Sequence, residues 1–295
     1  MSRLPLVGLV SVVAMAAMLT GCGGGDDDKE SSVTPPPTVE AKPAYRILDL
    51  STRAVTTADV LPDLLSDASF RTTRMVFRRV ESGVYELGSP DDAIQDPSVS
   101  DEPFRTVALS AYYVSVFETT QAQWQTLASA AGLATTPWTT ATGDTGDIGT
   151  ASPASGRPAA NLSHAVAVQA ASSLSVPGFT LALPTADEWE AACRGVRTFQ
   201  AFAWGDAADA SAASLYALVR EVAPTATGPV PVGVRLPNAV GLYDIHGNLR
   251  EWDASGVLRG GAWIDNLLNA RSANRLTGVD PAFAHAAAGV RFVLR

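Results

Sequence analysis

Residues 241–252 read GLYDIHGNLREW, and this stretch sets the character of the second half of the chain. Gly241 and Gly247 suit tight turns or close approaches of the backbone, because glycine has no side chain to obstruct either. Asp244 and Glu251 place two carboxylates in the same stretch. The surrounding sequence is rich in Gly, Pro and Asn and has few long periodic runs, so we expect irregular backbone to dominate there.

Several arginines can tie such loops to carboxylates, because the planar guanidinium donates in a fork that matches a carboxylate. They are Arg259, Arg271, Arg275 and Arg291. In a loop-rich fold these ties replace the hydrogen-bond ladders of sheets, so we interpret the arginines as structural. Both lysines of the chain, Lys29 and Lys42, precede the folded part, which therefore offers no amine for Schiff-base chemistry or for a phosphate-binding loop.

Three helices have recognisable starts, each at a residue whose side-chain oxygen can cap a first turn. These residues are Thr120, Ser163 and Thr185. Thr120 and Thr185 each stand three residues before a Gln or a Glu, which is the spacing of a capping box. The sequence therefore predicts helices over residues 124–131, over 164–174 and after Thr185. On the apolar side of the third helix we expect Cys193 to be a small buried hydrophobe rather than a reactive thiol.

Short strands are predicted in the first half from alternation and from β-branched or aromatic residues. They fall at residues 46–50, as an edge strand, at 75–77 and 84–88, joined by a turn at 81–83, and at 107–117. Residues 89–104 are predicted to form an acidic loop. Residues 132–156, rich in Thr, Gly and Ser, are predicted to form a long surface excursion.

The N-terminus has the features of a bacterial secretory signal. Arg3 supplies one positive charge, and residues 4–20 are apolar or small without a charged residue. A run this short behind a basic start is typical of a signal peptide rather than of a membrane span. The ending LTGC at residues 19–22 resembles the bacterial lipobox, which implies cleavage after residue 21 and a lipid on Cys22. The alternative is an ordinary secretory signal with a chance cysteine.

Residues 22–43 are predicted to be a disordered tether of Gly, acidic residues and Pro between the lipid anchor and the folded part. Gly23, rather than Asp, follows Cys22, which by analogy with lipoprotein sorting favours the outer membrane, at its periplasmic or its surface face. The formal net charge of −9 argues against a nucleic-acid partner. With Cys22 carrying the lipid, Cys193 has no partner in the chain, so a disulfide framework is excluded.

Four segments in chain order resemble the formylglycine-generating enzyme family, also called the sulfatase-modifying-factor domain. They are MVF at 75–77 with GS at 88–89, DEP at 101–103 and FETT at 117–120; RPAANLS at 157–163; LPTADEWE at 183–190 with AWGD at 203–206; and GLYDIHGNLREW with LRGGAW at 258–263, RSANR at 271–275 and GVRF at 289–292. The resemblance covers residues 72–295 behind a lead-in at 44–71. It implies a C-type-lectin-like α+β fold, a single domain with little regular secondary structure.

The resemblance also implies a chemistry that this sequence does not carry. Family enzymes oxidise a substrate cysteine with copper held by two cysteines that follow the Gly-Gly-aromatic block. Asp265 and Ala270 stand at those two positions, and no cysteine follows Cys193. Copper(I) requires soft thiolate ligands, so we expect no copper and no formylglycine generation by the known route. The three histidines, His164, His246 and His285, are too few and too scattered to suggest the iron site of sulfoxide-forming relatives.

A calcium site is the metal site that the resemblance leaves open. In the family, residues of the block at 241–252 bind calcium through side-chain and backbone oxygens. Carried over by position, the ligands are Asp244, the carbonyls of Gly247 and Leu249, and Glu251, a set of hard oxygens that suits calcium. The alternative is that Asp244 and Glu251 pair with arginines such as Arg250 or Arg259.

We therefore predict an envelope lipoprotein that presents a non-catalytic sulfatase-modifying-factor domain as a binding or scaffolding module, with an unknown envelope protein or glycan as its ligand. One alternative is a formylglycine-generating oxidoreductase that acts on protein cysteine through an unrecognised site. The other is a ligand-display protein diversified by a retroelement, in which Asn266, Asn269 and Asn274 would belong to the displayed segment. Fold alone does not choose between these functions.

Overall fold

The computed structural model describes residues 42–90, 102–140 and 156–295. The predicted signal peptide, Cys22 and nearly all of the tether lie outside these residues, as do most of the acidic loop and residues 141–155 of the surface excursion. Within the described part no helix combines the length and the apolarity that a membrane-spanning helix needs.

The strands are short and lie in three sheets. Their bounds are β1 (Tyr45–Asp49), β2 (Val55–Ala58), β3 (Arg74–Val80), β4 (Gly83–Leu87), β5 (Arg105–Leu109), β6 (Tyr112–Ser115), β7 (Leu181–Ala182), β8 (Arg250–Trp252), β9 (Leu258–Arg259), β10 (Arg275–Leu276), β11 (Ala288–Gly289) and β12 (Val293–Leu294). The helices are α1 (Gln121–Ala131), α2 (His164–Ser173), α3 (Ala186–Arg194) and α4 (Ala210–Tyr216).

The largest sheet has the strand order β2-β1-β3-β6-β12-β7, and every neighbouring pair in it is antiparallel. β1 pairs with β2 on one side and with β3 on the other, so the prediction of an edge strand at residues 46–50 is wrong. β2, which the sequence did not indicate, folds back onto β1 and takes the edge. The C-terminal β12 lies between β6 and β7, so the two ends of the domain meet in one sheet.

The two smaller sheets hold the remaining strands. One has the order β10-β9-β8-β11, in which β8 and β11 are parallel, and the other consists of β4 and β5. The strands predicted at 75–77 and 84–88 both exist, as β3 and β4, but they lie in different sheets. The strand predicted at 107–117 is interrupted at Ser110 and Ala111. Its first part, β5, pairs with β4, and its second part, β6, belongs to the large sheet.

The three predicted helix starts are confirmed. Thr120 and Thr185 each cap a helix within a complete capping box, and the Ser163 side chain accepts from the Val166 N–H at the start of α2. The sequence did not predict α4, which Asp209 caps. α4 has seven residues in a stretch without apolar periodicity, too short a helix for pattern to reveal.

Helices cover both faces of the large sheet. Neighbouring residues of a strand point to opposite sides of the sheet, and each side packs against its own helix. On one face, Trp124 of α1 packs in the same cluster as Phe77 and Tyr113. On the other, Trp189 of α3 packs with Val114 of β6. The α+β prediction is confirmed, and the stretch at 241–252 runs from an irregular loop into β8 beside this core.

Candidate functional site

The loop before β8 has a tightly constrained backbone. Asp244 and Asn248 are non-glycine residues with positive φ angles of 56° and 61°, and Gly247 has a φ of 80°. A Cβ atom added at Gly247 would lie 2.2 Å from the carbonyl oxygen of Leu218, so only glycine fits this approach. The loop therefore packs closely against Leu218, which follows α4, before it enters β8. This close backbone approach is what the glycines of the sequence predict.

Glu251 of β8 forms a fully buried ion pair with Arg291. The Arg291 Nε lies 3.0 Å from both carboxylate oxygens, and its Nη2 lies 2.8 Å from Oε1. The Trp189 indole N–H donates to Oε2 at 2.7 Å. Both side chains of the pair are at most 1% exposed. A buried pair is favourable only when its remaining hydrogen bonds are satisfied, and here both carboxylate oxygens are engaged.

Two further carboxylates lie in the same buried region, those of Glu118 and Asp244. Glu118 accepts from the Asn248 side chain at 2.6 Å and from the Leu249 N–H at 2.9 Å. Asp244 accepts from the Gly233 N–H at 2.6 Å. We call Glu118, Asp244, Glu251 and Arg291 the acidic cluster. Sequence reasoning missed Glu118, although a carboxylate directly after the strand-like run that ends at Phe117 is a signal of a buried polar site.

Burial dominates the protonation of the acidic cluster. It raises the pKa of Glu118 well above its usual value, and the neighbouring Asp244 carboxylate raises it further. Burial likewise raises the pKa of Asp244, to about 6, against the opposing hydrogen bond from Gly233. Three carboxylates share one guanidinium within this cluster, so the two without a direct ion pair take up protons more readily than exposed acids do.

These contacts bear on the predicted calcium ligands Asp244, Gly247, Leu249 and Glu251. Both oxygens of Glu251 already face the Arg291 guanidinium, which a cation would have to displace. Across residues 42–90, 102–140 and 156–295, no group of three or more Asp, Glu, His or Cys side chains is arranged to hold a metal ion. Glu251 thus forms the ion pair of the alternative, whereas Asp244 accepts a backbone hydrogen bond and forms no ion pair within the described residues. Calcium at these residues is a hypothesis that a binding experiment has to test.

The arginine partner that the sequence suggested for this site is wrong. Arg250 pairs with Asp265, and Arg259 pairs with Glu102 and Asp253. Arg291 pairs with Glu251 instead. It lies close to Glu251 because β11, just before it in the chain, pairs in parallel with β8. No local pattern in the sequence indicates that pairing.

The two predicted thiol positions lie on the segment after β9. Asp265 forms an ion pair with Arg250, and its backbone oxygen accepts from the Arg220 N–H at 2.8 Å. Ala270 ends a 3₁₀ turn over Leu267–Ala270 and is fully buried. A carboxylate in an ion pair and a buried methyl group do not fit copper(I), which requires thiolates.

Buried polar atoms without a protein partner also lie in this segment. They are Asp265 Oδ2 and Trp263 Nε1. A buried donor or acceptor left unpaired costs free energy, so such atoms mark places where a ligand or water completes the hydrogen bonding. Two asparagines that the ligand-display alternative would place in its displayed segment have structural positions instead. Asn266 caps the 3₁₀ turn, and Asn274 is buried.

Cys193 is the cysteine of the described part, and it is chemically quiet. It is fully buried, and burial raises the pKa of its thiol to about 12. Its Sγ lies 3.6 Å from the Ser272 hydroxyl and 3.7 Å from His246 Nε2. The thiol is therefore protonated at physiological pH and closed to substrate, which confirms the prediction of a buried structural residue.

His246 is held neutral beside this thiol. Its Nδ1 donates to the Ala270 carbonyl at 2.7 Å, and its Nε2 accepts from the Ala203 N–H at 3.0 Å. Burial lowers its pKa to about 4. The other histidines lie elsewhere, His164 against Trp252 and His285 against Phe283. Within residues 42–90, 102–140 and 156–295, neither a Cys–His nucleophile nor a histidine metal site is formed.

Comparison with known proteins agrees with this geometry. Residues 62–295 match the family described as the sulfatase-modifying factor enzyme 1-like domain. Two curated relatives, each named inactive C-alpha-formylglycine-generating enzyme 2, from Bos taurus and Mus musculus, are 37% identical to the chain over 97 residues. That alignment covers 28% of this chain and 32% of each relative, so the chain spans about a third of the length of these relatives.

Solved structures show the same fold at lower identity. Treponema denticola variable protein 1 superposes with a TM-score of 0.60 at 21% identity, over 76% of this chain and 96% of that one. PvdO from Pseudomonas aeruginosa also gives 0.60 at 21% identity, over 75% and 94% of the two chains. These likenesses concern the fold alone.

The acidic cluster gives a first prediction about stability. Arg291→Met removes the guanidinium and leaves the buried Glu251 carboxylate without its partner, so we expect the free energy of unfolding to fall by about 3–5 kcal/mol. The matched control is Arg295→Met. Arg295 pairs with Glu188 at the surface, where its side chain is 38% exposed, and the expected loss is below about 1 kcal/mol. Urea unfolding measures both, and equal losses would contradict a structural role for the cluster.

A second prediction separates calcium from ion pairing. Because Arg291 already neutralises Glu251, we expect the melting temperature to be the same in chelator and in millimolar calcium. A bound calcium at a hundred times its dissociation constant would instead add about 2.7 kcal/mol, which raises the melting temperature by roughly 2–4 °C per kcal/mol. A rise of that size that Asp244→Ala abolishes would establish the calcium site.

Proposed function

The chain belongs to the sulfatase-modifying factor enzyme 1-like domain family, and from that membership we propose that it is an envelope lipoprotein which presents a non-catalytic domain as a binding or scaffolding module. The observation that carries the proposal is the state of the two thiol positions. Asp265 is committed to Arg250, Ala270 is buried, and the buried Cys193 is protonated. The residues of the described part thus supply no thiolate pair for copper.

In this proposal the domain acts by binding, and its ligand is an envelope protein or a glycan. The segment after β9 still carries the unpaired buried atoms Asp265 Oδ2 and Trp263 Nε1. A ligand that reached these buried atoms would have to supply a donor to the carboxylate and an acceptor to the indole. The names of the curated relatives, which describe inactive proteins, agree with a non-catalytic role. An envelope protein or a glycan offers both kinds of group.

Oxidase activity is the competing function, and a direct assay decides it. The purified full chain, supplied with copper and a sulfatase-type cysteine peptide, should form no aldehyde above a no-protein control, because no thiolate pair is present to hold copper(I). Mass spectrometry of the peptide measures the product. Aldehyde that accumulates with the wild type and disappears with Asp265→Ala would show that this segment is catalytic and would overturn the proposal.

The envelope location rests on the N-terminal sequence. If Cys22 carries a lipid, labelling of the producing cells with a fatty-acid analogue should mark the wild-type protein. Cys22→Ala should be unlabelled and should keep its signal peptide, because the thiol is the attachment point. Cys193→Ala is the matched control and should be labelled normally. Label that persists in Cys22→Ala would exclude lipid anchoring at this residue.

A further inference from the structure

A cavity of about 540 Å³ opens at one end of the large sheet, away from the acidic cluster and from the segment of Asp265. β1 and β6 begin at this end, and β3 and β12 finish there, so four strands bring their terminal side chains together. The N-terminus of α3 forms a further wall through Thr185 and Glu188. We call this cavity the basic groove. Its volume lies in the range of small-molecule sites, roughly 300–1,000 Å³.

Four cationic side chains and one carboxylate line the basic groove. The cations are Lys42, Arg46, Arg79 and Arg295, and the carboxylate is Glu188. The excess of positive charge is notable in a chain whose formal net charge is −9. Like charges in one cavity repel each other, and an anion in the groove would relieve that repulsion.

Arg46 is the cation that is fixed most firmly without an ion pair. Its guanidinium lies 3.9 Å from the centre of the Tyr113 ring and 4.5 Å from the centre of the Phe179 ring. It forms no ion pair with any residue of 42–90, 102–140 or 156–295. Cation–π contacts orient the guanidinium but leave its charge uncompensated, so it is already in place for an anionic group.

The guanidinium of Arg79 is also incompletely paired. Its Nη1 pairs with Glu81 at 2.6 Å, but Glu81 is 57% exposed, so water weakens that pair. The Nε atom of Arg79 is buried and has no hydrogen-bond partner. A buried guanidinium donor without an acceptor is costly, so the exposed pair with Glu81 does not satisfy Arg79 in full.

The remaining cations are held at the rim. The Tyr113 hydroxyl donates to the Pro43 carbonyl at 2.8 Å, which fixes the backbone next to Lys42. Arg295 pairs with Glu188, which also accepts from the Thr185 N–H at 2.8 Å. The single carboxylate of the groove is therefore occupied by Arg295 and by the first turn of α3, and it does not neutralise Arg46 or Arg79.

We propose that the basic groove binds a small anion that carries a phosphate group. Two guanidinium groups without a buried counter-ion and a nearby ammonium match a doubly charged phosphate better than a single carboxylate, and arginine donates to phosphate in a bidentate manner. The proposal depends neither on the lipid anchor nor on the absence of oxidase activity, because no groove residue belongs to either site.

Binding assays with two probes test the proposal and identify the source of the phosphate. The full chain carrying Cys22→Ala is used to remove the lipid, and attachment to vesicles through its retained signal peptide is measured on phosphatidylcholine alone and subtracted. Glycerol phosphate, titrated by calorimetry, represents a soluble ligand. Vesicles of phosphatidylcholine with and without phosphatidic acid represent a lipid headgroup. Saturable binding of glycerol phosphate supports a soluble ligand, and binding only to the phosphatidic acid vesicles supports a lipid. Binding to neither probe overturns the proposal.

Variants locate the binding in the groove. Arg46→Met and Arg79→Met should each weaken binding by about tenfold or more, the loss expected for one charge-assisted hydrogen bond. Methionine keeps apolar bulk between Tyr113 and Phe179, so the fold should be retained. The matched control is Arg53→Met, which removes an exposed arginine outside the groove and should bind as the parent does. An equal loss in all three variants would show non-specific charge attraction and would overturn the groove as the site.

Discussion

The guanidinium of Arg291 connects three parts of the domain that no sheet joins. Besides Glu251, it donates to the carbonyls of Ser115 and Val116 at 2.8 and 2.9 Å and to that of Tyr243 at 2.8 Å. One side chain thus fixes the end of β6, the loop at 241–252 and β8 relative to each other. Backbone hydrogen bonds also hold the loop, such as those from the Tyr243 N–H to the Val116 carbonyl at 3.0 Å and from the Gly247 N–H to the Gly260 carbonyl at 2.7 Å. Arg291 adds the fully buried donor that joins the loop to both β6 and β8.

The same solution recurs at a second buried pair, that of Glu190 and Arg194. Glu190 accepts from the Gly88 N–H at 2.6 Å, and Arg194 donates to the Gly88 carbonyl at 2.6 Å. Helix α3 therefore hydrogen-bonds to both backbone groups of one glycine. A Cβ at Gly88 would lie 1.9 Å from the Pro103 carbonyl oxygen. Burial of charged groups is costly unless each is paired and hydrogen-bonded. Glu251 meets that condition through both of its oxygens, whereas Glu190 meets it through Oε1 alone, because its Oε2 has no hydrogen-bond partner. In both pairs the backbone of a loop is the third partner, which fixes the position of that loop.

Sequence reasoning was most successful where the physics is local. The caps at Thr120, Ser163 and Thr185 act within one helical turn, so their residues were sufficient to predict the helices. The structural interpretation of the arginines was also correct, since Arg259 and Arg291 both tie loops to carboxylates. The choice of partner was not predictable, because Arg291 meets Glu251 only through the parallel pairing of β11 with β8. Glu118 was missed for the same reason: its partners are about 130 residues away in the chain. The basic groove, too, consists of strand ends that only the sheet order brings together.

The arrangement also explains how this fold can lose one chemistry and keep its structure. The buried contacts that hold the loops are the pairs Glu190–Arg194 and Glu251–Arg291 and the hydrogen bonds of Glu118, and none of them includes residue 265 or residue 270. Asp265 forms its ion pair with Arg250 at the edge of the core, where the two side chains are still 11% and 19% exposed. Replacement of the thiol positions therefore removes ligands for copper without removing a support of the fold. The segment still contributes backbone hydrogen bonds, such as that of the Ala270 carbonyl with His246, and these do not depend on the identity of side chains 265 and 270. The same fold can therefore carry different side chains there, so the function has to be established at each site rather than from the fold.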